Sequence, residues 1–241
     1  MVPLCLGMLA TPPTLLPANE AARLQSLRSY TIVQSMQEDL FDELVALLTN
    51  LFCLPIAYVG LMEADQLSYK ATCGFPRQLV QPRAHSLCAL VIKYDQAVVY
   101  HDLATATPGS LDAAAIQQGL AHKIRFYAGA PLRMPDHQTI GTLCLASPQP
   151  RDFSPDEQQL LELLAAVVSH AIAVRSHCYA SLNDFRWLEI RTQARDEVYT
   201  LGALIRYLSA RYGTLTPVPE EIIQPVTRRL RDLHAILQHY E

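Results

Sequence analysis

The chain has 241 residues, half of them apolar, which is enough for one substantial hydrophobic core and excludes a largely disordered protein. Its 19 basic and 23 acidic residues leave a net charge of -4, without a concentrated positive field. We therefore expect neither nucleic acid nor an anionic membrane surface as a partner.

The six cysteines show no metal-binding pattern, because the chain has no C-x-x-C pair and no Cys/His cluster at zinc-ligand spacing. We interpret them as reduced thiols and expect a cytoplasmic protein. No stretch has the length and apolarity of a transmembrane helix, and the apolar start of the chain lacks the positive residues of a signal peptide, which leaves export as the minor alternative. Residues 1–18, with Pro12, Pro13 and Pro17, are predicted to be a disordered leader.

Two helices are predicted before the first strand. The first covers residues 19–29, and the second follows Ser35-Met36-Gln37-Glu38, which has the form of a capping box. Behind that box, apolar residues recur at steps of three and four, which places them on one helical face that must be buried. They are Leu40, Phe41, Leu44, Val45, Leu48, Leu51 and Phe52.

Five strand-like segments follow, at residues 56–62, 66–72, 97–100, 124–132 and 139–146. Turn residues join the first two and the last two, so we expect hairpins and an antiparallel sheet. Residues 103–122 are predicted to be a covering loop with a short helix at 113–120. A long helix begins at Ser154, where Pro155 and Glu157 complete a capping box. This order of elements predicts an α+β fold with helices covering one face of the sheet.

Several segments, taken in chain order, resemble the GAF domain family: residues 19–24 (NEAARL), 52–57 (FCLPIA), 85–89 (HSLCA), 125–132 (RFYAGAPL), 140–144 (IGTLC) and 153–161 (FSPDEQQLL). The resemblance covers residues 19–176. It implies a GAF-like antiparallel sheet backed by N- and C-terminal helices, with a pocket on the other face. GAF domains bind cyclic nucleotides, tetrapyrroles, haem or small metabolites, so the resemblance implies a sensor rather than an enzyme. The chain lacks a phytochrome-like Cys-His pair and a cyclic-nucleotide signature, so the cofactor or ligand stays unknown.

Cys88 is the first candidate ligand-binding residue, because it follows His85 and Ser86 at the start of a predicted helix, where a thiol pKa can fall. A small buried hydrophobic residue is the favoured interpretation of this cysteine. His85 is a second candidate. His122, His170 and His177 are scattered singly along the chain and form no metal-binding set with it.

Arg125 and Tyr127 lie on one face of a predicted strand, where they could bind a carboxylate or phosphate and stack on a ring. The alternative is that Arg125 pairs with Asp102 while Tyr127 fills the core. His101 and Asp102 follow a strand at the opening of the covering loop, and we favour a turn-stabilising role over catalysis because no nucleophile accompanies them.

Residues 177–241 are predicted to form a helical hairpin. One heptad seam has Val198, Leu201, Ile205, Leu208 and Tyr212, and a second has Ile223, Val226, Leu230, Leu233, Leu237 and Tyr240. Gly213, Pro217 and Pro219 separate the two helices. Because the two apolar faces exceed what one pairing can bury, we expect a homodimer through this hairpin.

The leading hypothesis is a regulatory protein in which a small ligand biases the dimeric helical hairpin, which contacts a partner protein. The second is a thiol-dependent enzyme similar to the free methionine sulfoxide reductases, which have the GAF fold, with Cys88 as nucleophile and Cys73 as its conceivable partner. The third is a structural dimerisation module with a vestigial pocket.

Overall fold

A computed structural model describes residues 15–30, 38–75, 80–109, 111–181, 184–213 and 216–240. The helices are α1 (Glu20–Ser29), α2 (Asp39–Phe52), α3 (Cys88–Tyr94), α4 (Ala113–Ala121), α5 (Pro155–Ala180), α6 (Asp184–Tyr212) and α7 (Glu220–His239). The strands are β1 (Ile56–Met62), β2 (Gln66–Cys73), β3 (Val80–Pro82), β4 (Val98–Tyr100), β5 (Phe126–Arg133) and β6 (Thr139–Ser147). Helices thus precede and follow the strands, in the α+β order that the sequence predicts.

The strands form one sheet in the order β3-β2-β1-β6-β5-β4, and all neighbouring strands are antiparallel. The predicted hairpins β1–β2 and β5–β6 are confirmed. β1 has the predicted bounds, whereas β4 and β5 begin one and two residues later than expected. The short edge strand β3 was not predicted, because three residues are too few for a periodic signal.

Residues of β5 alternate between the two faces of the sheet, as the period of a strand requires. Phe126, Ala128, Ala130 and Leu132 lie on the face packed against α2 and α5, which we call the helix face. Tyr127 lies on the opposite face, beneath α3 and α4, which we call the cavity face. The predicted sheet backed by helices on one face is therefore confirmed.

The helix α2 buries all seven residues of its predicted apolar face. The predicted capping box is wrong at Glu38, which has an extended backbone and precedes the helix, while residues 35–37 lie outside the described residues. The Glu38 carboxylate instead accepts hydrogen bonds from Arg175 Nε at 2.5 Å and Trp187 Nε1 at 2.9 Å. The charge-assisted bond to a buried guanidinium is stronger than a bond to a neutral backbone amide, and it ties α2 to α5 and α6.

The helix α5 begins with the predicted capping box. Ser154 Oγ accepts a hydrogen bond from the Glu157 amide at 3.2 Å, and the Glu157 carboxylate accepts one from the Ser154 amide at 2.8 Å. The carboxylate is fully buried and also accepts bonds from Arg151 Nη2 at 2.5 Å and the Val218 amide at 3.0 Å. One side chain therefore caps α5 and holds the segment that leads into α7.

By length and composition α5 is also apolar enough to cross a membrane, and no other helix of the described residues meets that description. In the fold, 67% of its most apolar window is buried against the rest of the chain, as in the core helix of a folded domain. Its apolar character is thus accounted for by packing on both the sheet and the C-terminal helices.

The predicted C-terminal hairpin is present, but α6 and α7 fold back onto α2 and α5. Val198, Leu201, Ile205 and Leu208 of α6 are buried in the same hydrophobic cluster as the core of the sheet domain, and so are the seam residues of α7 from Ile223 to Leu237. Of the predicted α6 seam, Tyr212 is 37% exposed. Because the chain's own helices cover the rest of the two seams, our reason for expecting a homodimer is corrected. The homodimer itself stays a prediction.

The packed chain begins earlier than predicted. Leu15 is 3% exposed and belongs to the cluster on the cavity face, and the Leu16 carbonyl accepts a hydrogen bond from Lys93 Nζ at 2.8 Å. The predicted disordered leader is therefore wrong for these residues, and residues 1–14 lie outside the described part of the chain. A local excess of prolines predicts poor helix formation, but it does not exclude packing of an apolar side chain.

Candidate ligand cavity and a buried thiol pair

A cavity of about 80 Å³ lies between the cavity face of the sheet and α4. Tyr58, Tyr69, Phe75 and Tyr127 supply its aromatic wall, and its polar wall residues are Gln81, His85, Ser86 and His122. At about 30 Å³ per water molecule, the volume corresponds to room for roughly three water molecules. The described wall residues include no Arg, Lys, Asp or Glu. The geometry therefore favours a small molecule without a fixed charge.

The aromatic wall is held by ring contacts and one amide. Tyr69 meets Tyr58 edge-on with ring centroids 5.0 Å apart, and its ring lies 5.0 Å from that of Phe75. The Tyr69 hydroxyl donates to Gln81 Oε1 at 2.8 Å, and Gln81 Nε2 donates to the His85 carbonyl at 2.7 Å. These bonds fix both the phenol and the amide, so the wall is formed before any ligand arrives.

A row of residues on the cavity face runs across the three central strands. Cys144 of β6 lies opposite Tyr58 of β1 on one side and opposite Gly129 of β5 on the other. The Tyr127 side chain leans along its strand over Gly129, and a Cβ at that glycine would overlap the phenol hydroxyl. Glycine at residue 129 therefore lets the Tyr127 hydroxyl reach Cys144 Sγ, 3.4 Å away.

Cys88, at the start of α3, completes this cluster from above the sheet. Its Sγ lies 3.6 Å from Cys144 Sγ, 3.4 Å from the Tyr127 hydroxyl and 3.6 Å from the Tyr58 hydroxyl. Cys144 Sγ donates in turn to Thr142 Oγ1 at 3.2 Å. Both sulfurs are buried and both are free thiols. Two thiols thus lie directly behind the cavity wall, in contact with two of its phenols.

Burial and hydrogen bonding shift the pKa values of these groups in opposite directions. Burial raises the pKa of the Tyr58 and Tyr127 hydroxyls well above the ordinary value, so both keep their protons and remain donors. Burial also opposes ionisation of Cys88, but the hydrogen bonds that surround its sulfur outweigh burial and lower its pKa. Burial and the neighbouring Cys88 raise the pKa of Cys144. Cys88 is therefore the thiol of the pair that ionises first.

The GAF domain family model matches residues 37–172, which is more than half of the chain. This chain belongs to the GAF domain family. Within its GAF domain, the cavity lies on the face of the sheet opposite α2 and α5. The family is sensory and regulatory, so the coarse function of the chain follows from this membership.

Known proteins that resemble this GAF chain include a cyclic di-GMP phosphodiesterase from Pseudomonas aeruginosa, which is 29% identical over 176 residues. That match covers 73% of this chain, and the chain spans only 28% of the relative's length. A solved structure of the blue-light absorbing form of the Thermosynechococcus elongatus PixJ GAF domain is 18% identical, with 68% of this chain and 95% of that chain covered and a TM-score of 0.50. The GAF domain of an Acinetobacter phosphoenolpyruvate-protein phosphotransferase is 19% identical, with 67% and 98% covered and a TM-score of 0.48.

Three of the six predicted ligand-binding residues lie in or next to the cavity of the GAF domain. His85 and Tyr127 line it, and Cys88 is the buried neighbour of its wall residues Ser86 and Leu87. The Ser86 hydroxyl accepts a hydrogen bond from the Cys88 amide at 3.2 Å, which fixes the start of α3. The expected ligand-binding role of these residues stays a prediction.

The other three residues lie away from the cavity. Arg125 Nε donates to Asp102 Oδ1 at 2.6 Å, so the structure has the pairing that the sequence left as the alternative. Hydrogen bonds from Arg125 lower the pKa of Asp102, whose carboxylate also accepts a bond from the Ala104 amide. His101 Nδ1 accepts a hydrogen bond from the Phe153 amide at 3.2 Å. These side chains brace the ends of β4 and β5.

The sequence interpretation missed Cys144 and named Cys73 as the conceivable partner of Cys88. Cys73 packs against the cluster on the helix face, on the opposite side of the sheet from Cys88, so that pairing is wrong. The strand parity of Leu143, Cys144 and Leu145 could have placed Cys144 on the cavity face. Its proximity to Cys88 could not be predicted, because it depends on how α3 packs.

No group of three or more His, Cys, Asp or Glu side chains comes together within the described parts of the chain in a way that could hold a metal ion. The cavity wall therefore supplies aromatic surface, two imidazoles, an amide and a hydroxyl as its binding groups. These groups suit hydrogen bonding and ring stacking.

Proposed function

We propose that this chain is a non-catalytic cytoplasmic sensor whose GAF domain binds a small uncharged ring compound in the cavity and regulates a partner protein through α5, α6 and α7. The observation that carries the proposal is the preformed aromatic cavity beneath α4. Sensory function is the common property of the family. A cytoplasmic location agrees with Cys53, which is an exposed free thiol.

The ligand class follows from the wall of the cavity. Tyr58, Tyr69 and Phe75 offer ring surfaces for stacking, while His85 and His122 offer ring nitrogens to one polar edge of a ligand. Without a guanidinium or ammonium on the described wall, a phosphate or carboxylate would lose its hydration shell without a fixed counter-charge. The best occupant is therefore a single neutral ring with one or two polar substituents.

The route from cavity to partner would pass through α5. This helix packs against β5 and β6 on one side and against α6 and α7 on the other. The Glu157 carboxylate bonds to the Val218 amide before α7, and the Glu38 carboxylate bonds to Arg175 of α5 and Trp187 of α6. A shift of the central strands on ligand binding would thus reach all three helices through buried polar contacts.

We also propose that the phosphodiesterase activity named for the Pseudomonas relative is not a property of this chain, which spans 28% of that protein. A cyclic dinucleotide carries two phosphates, and the cavity of about 80 Å³ offers them neither room nor a cationic side chain in its described wall. Incubation of the full chain with cyclic di-GMP should return the dinucleotide intact, and any linear product would refute this part of the proposal.

Ligand binding is tested with the full chain by ligand-observed NMR against a set of single-ring compounds such as phenol, pyridine and pyrazole. The variant Ala115→Leu adds volume to a buried wall position and should abolish binding, whereas Asp136→Ser, at an exposed position between β5 and β6, should leave it unchanged. Native mass spectrometry of the chain purified from its own cells gives a second readout. The sensor proposal fails if no compound binds in a way that Ala115→Leu removes and the purified chain carries no molecule.

The homodimer is proposed through a different surface from the one first expected. Phe185, Leu188, Tyr199 and Tyr207 of α6 are 83%, 47%, 75% and 58% exposed and lie on one side of that helix. These four exposed side chains are spread along α6 with polar residues such as Thr192 and Asp196 between them, and a second copy that packs on this side would remove them from water. Sedimentation velocity should show a dimer that Phe185→Ser weakens and that Val80→Ser, on the exposed edge strand, does not. A monomer at every concentration would remove this proposal.

A further inference from the structure

We propose that Cys88 and Cys144 are a peroxide-reactive thiol pair that closes to a disulfide behind the ligand cavity. The inference goes beyond ligand sensing, because it rests on contacts among side chains that need no ligand. It assigns a redox modification site to two residues that are fully buried in the domain.

Geometry singles out this pair among the described cysteines. The two sulfurs are 3.6 Å apart, so closure to a bond of about 2.05 Å needs them to approach each other by about 1.5 Å. Cys73 lies on the helix face and Cys53 is exposed, so neither is beside Cys88. Cys178 is buried on α5, where burial raises its thiol pKa, and it provides a matched unreactive thiol.

The surroundings of Cys88 suit a nucleophilic thiol. The Tyr127 hydroxyl donates to its sulfur at 3.4 Å, and the Tyr58 hydroxyl lies 3.6 Å from it, so two phenols can stabilise a thiolate. Tyr58 and Tyr127 also line the cavity, so the phenols that contact Cys88 Sγ form the boundary between the cavity and this sulfur. A peroxide is small enough to enter a space of about 80 Å³.

The reaction balances with one hydrogen peroxide per pair. The Cys88 thiolate attacks one peroxide oxygen, so that an S–O bond forms, the O–O bond breaks, and the leaving hydroxide takes the proton released by Cys88 to become water. The Cys144 sulfur then attacks the sulfenic sulfur of Cys88, the S–O bond breaks, and the departing hydroxide takes the Cys144 proton as a second water. The two sulfurs lose two electrons, which the peroxide oxygens gain.

Disulfide formation would change the cavity wall. In the reduced protein the Tyr127 hydroxyl lies 3.4 Å from each of the two sulfurs. In a disulfide neither sulfur is a thiolate, so the hydroxyl loses that hydrogen-bond acceptor. Disulfide formation therefore changes the hydrogen bonding of the Tyr127 hydroxyl, which lies over Gly129. Because Tyr127 lines the cavity, oxidation and ligand binding would be coupled through one side chain.

The test uses the full chain, hydrogen peroxide, rapid alkylation of the remaining thiols with N-ethylmaleimide, and peptide mass spectrometry. We expect a Cys88–Cys144 linked peptide, formed about tenfold faster than any oxidation of Cys178. If Cys53 is oxidised while Cys88 and Cys144 remain alkylatable after denaturation, the proposal is refuted.

Two kinds of variant separate the steps. Cys144→Ser should leave a sulfenic acid on Cys88 that dimedone traps, and Cys88→Ser should leave Cys144 reduced. Tyr127→Phe keeps both thiols and the packing of the ring but removes a hydrogen-bond donor, and it should slow disulfide formation roughly fivefold. Cys178→Ser is the control, with an unchanged rate. An unchanged rate in Tyr127→Phe, or an untrapped Cys88 in a folded Cys144→Ser variant, would overturn the mechanism.

Discussion

Replacing Glu157 by glutamine should destabilise the fold strongly, although the two side chains have nearly the same shape. The Glu157 carboxylate is fully buried and accepts hydrogen bonds from Arg151, from the Ser154 amide and from the Val218 amide. Glutamine offers one oxygen and a nitrogen that only donates. At least one of these donors therefore loses its acceptor, and the Arg151 cation loses its counter-charge.

The expected magnitude follows from the burial of both partners. The Arg151 side chain is 5% exposed, and its Nε and Nη1 atoms have no hydrogen-bond partner among the described residues, so the Glu157 carboxylate is the main compensation for its charge. Removing one partner of a buried ion pair costs about 3–5 kcal/mol. For a chain of this size, that corresponds to a fall in melting temperature of roughly 6–20 °C.

Differential scanning fluorimetry and urea unfolding measure the change, with Glu162→Gln on the same helix as a control that should cost about 0.5 kcal/mol or less. The double variant Arg151→Leu/Glu157→Gln should recover part of the loss, because no buried charge is left unpaired and the remaining oxygen can still accept a hydrogen bond from a backbone amide. A loss of less than about 1 kcal/mol in Glu157→Gln would refute the reasoning.

Three further predictions concern α7, the thiol cluster and the C-terminal layer. Burial and the neighbouring His170, whose Nδ1 lies 2.9 Å from His234 Nε2, lower the pKa of His234 in the folded state. The neutral ring therefore stabilises the fold above about pH 6.5, and this stability is lost as the pH falls below that value. The melting temperatures of the wild type and His234→Gln should converge toward acid pH. Gly129→Ala should displace the Tyr127 hydroxyl from both sulfurs and lower the free energy of unfolding by about 1–3 kcal/mol. Urea unfolding measures this loss, and near-ultraviolet circular dichroism of the tyrosines should change with it. Leu201→Ala, at a fully buried position of α6, should cost about 2–5 kcal/mol by the same unfolding assay, whereas a loss close to zero would show that α6 does not pack on the sheet domain as the structure has it.

Local patterns were sufficient where neighbours along the chain decide the structure. The bounds of β1, the apolar face of α2 and the capping box at Ser154 all depend on residues within one or two turns or strand repeats of each other. The GAF resemblance rested on such segments in the right order, and the family match confirms it. The capping box at Glu38 failed because distant partners, Arg175 and Trp187, compete for the same carboxylate.

The candidate site depends mostly on contacts that are distant in sequence. Residues 88 and 144 meet only because α3 packs over β6, and Arg125 leaves the cavity because Asp102 is within reach across the strand ends. Heptad seams reveal that a face of α6 or α7 is buried, but not whether a second copy or the same chain covers it. The sequence by itself therefore determined the elements other than β3, the two-faced sheet and the apolar faces of the helices. Only the tertiary structure decided which faces meet and which thiols are neighbours, because strand register and helix docking are set by packing of the whole core rather than by adjacent residues.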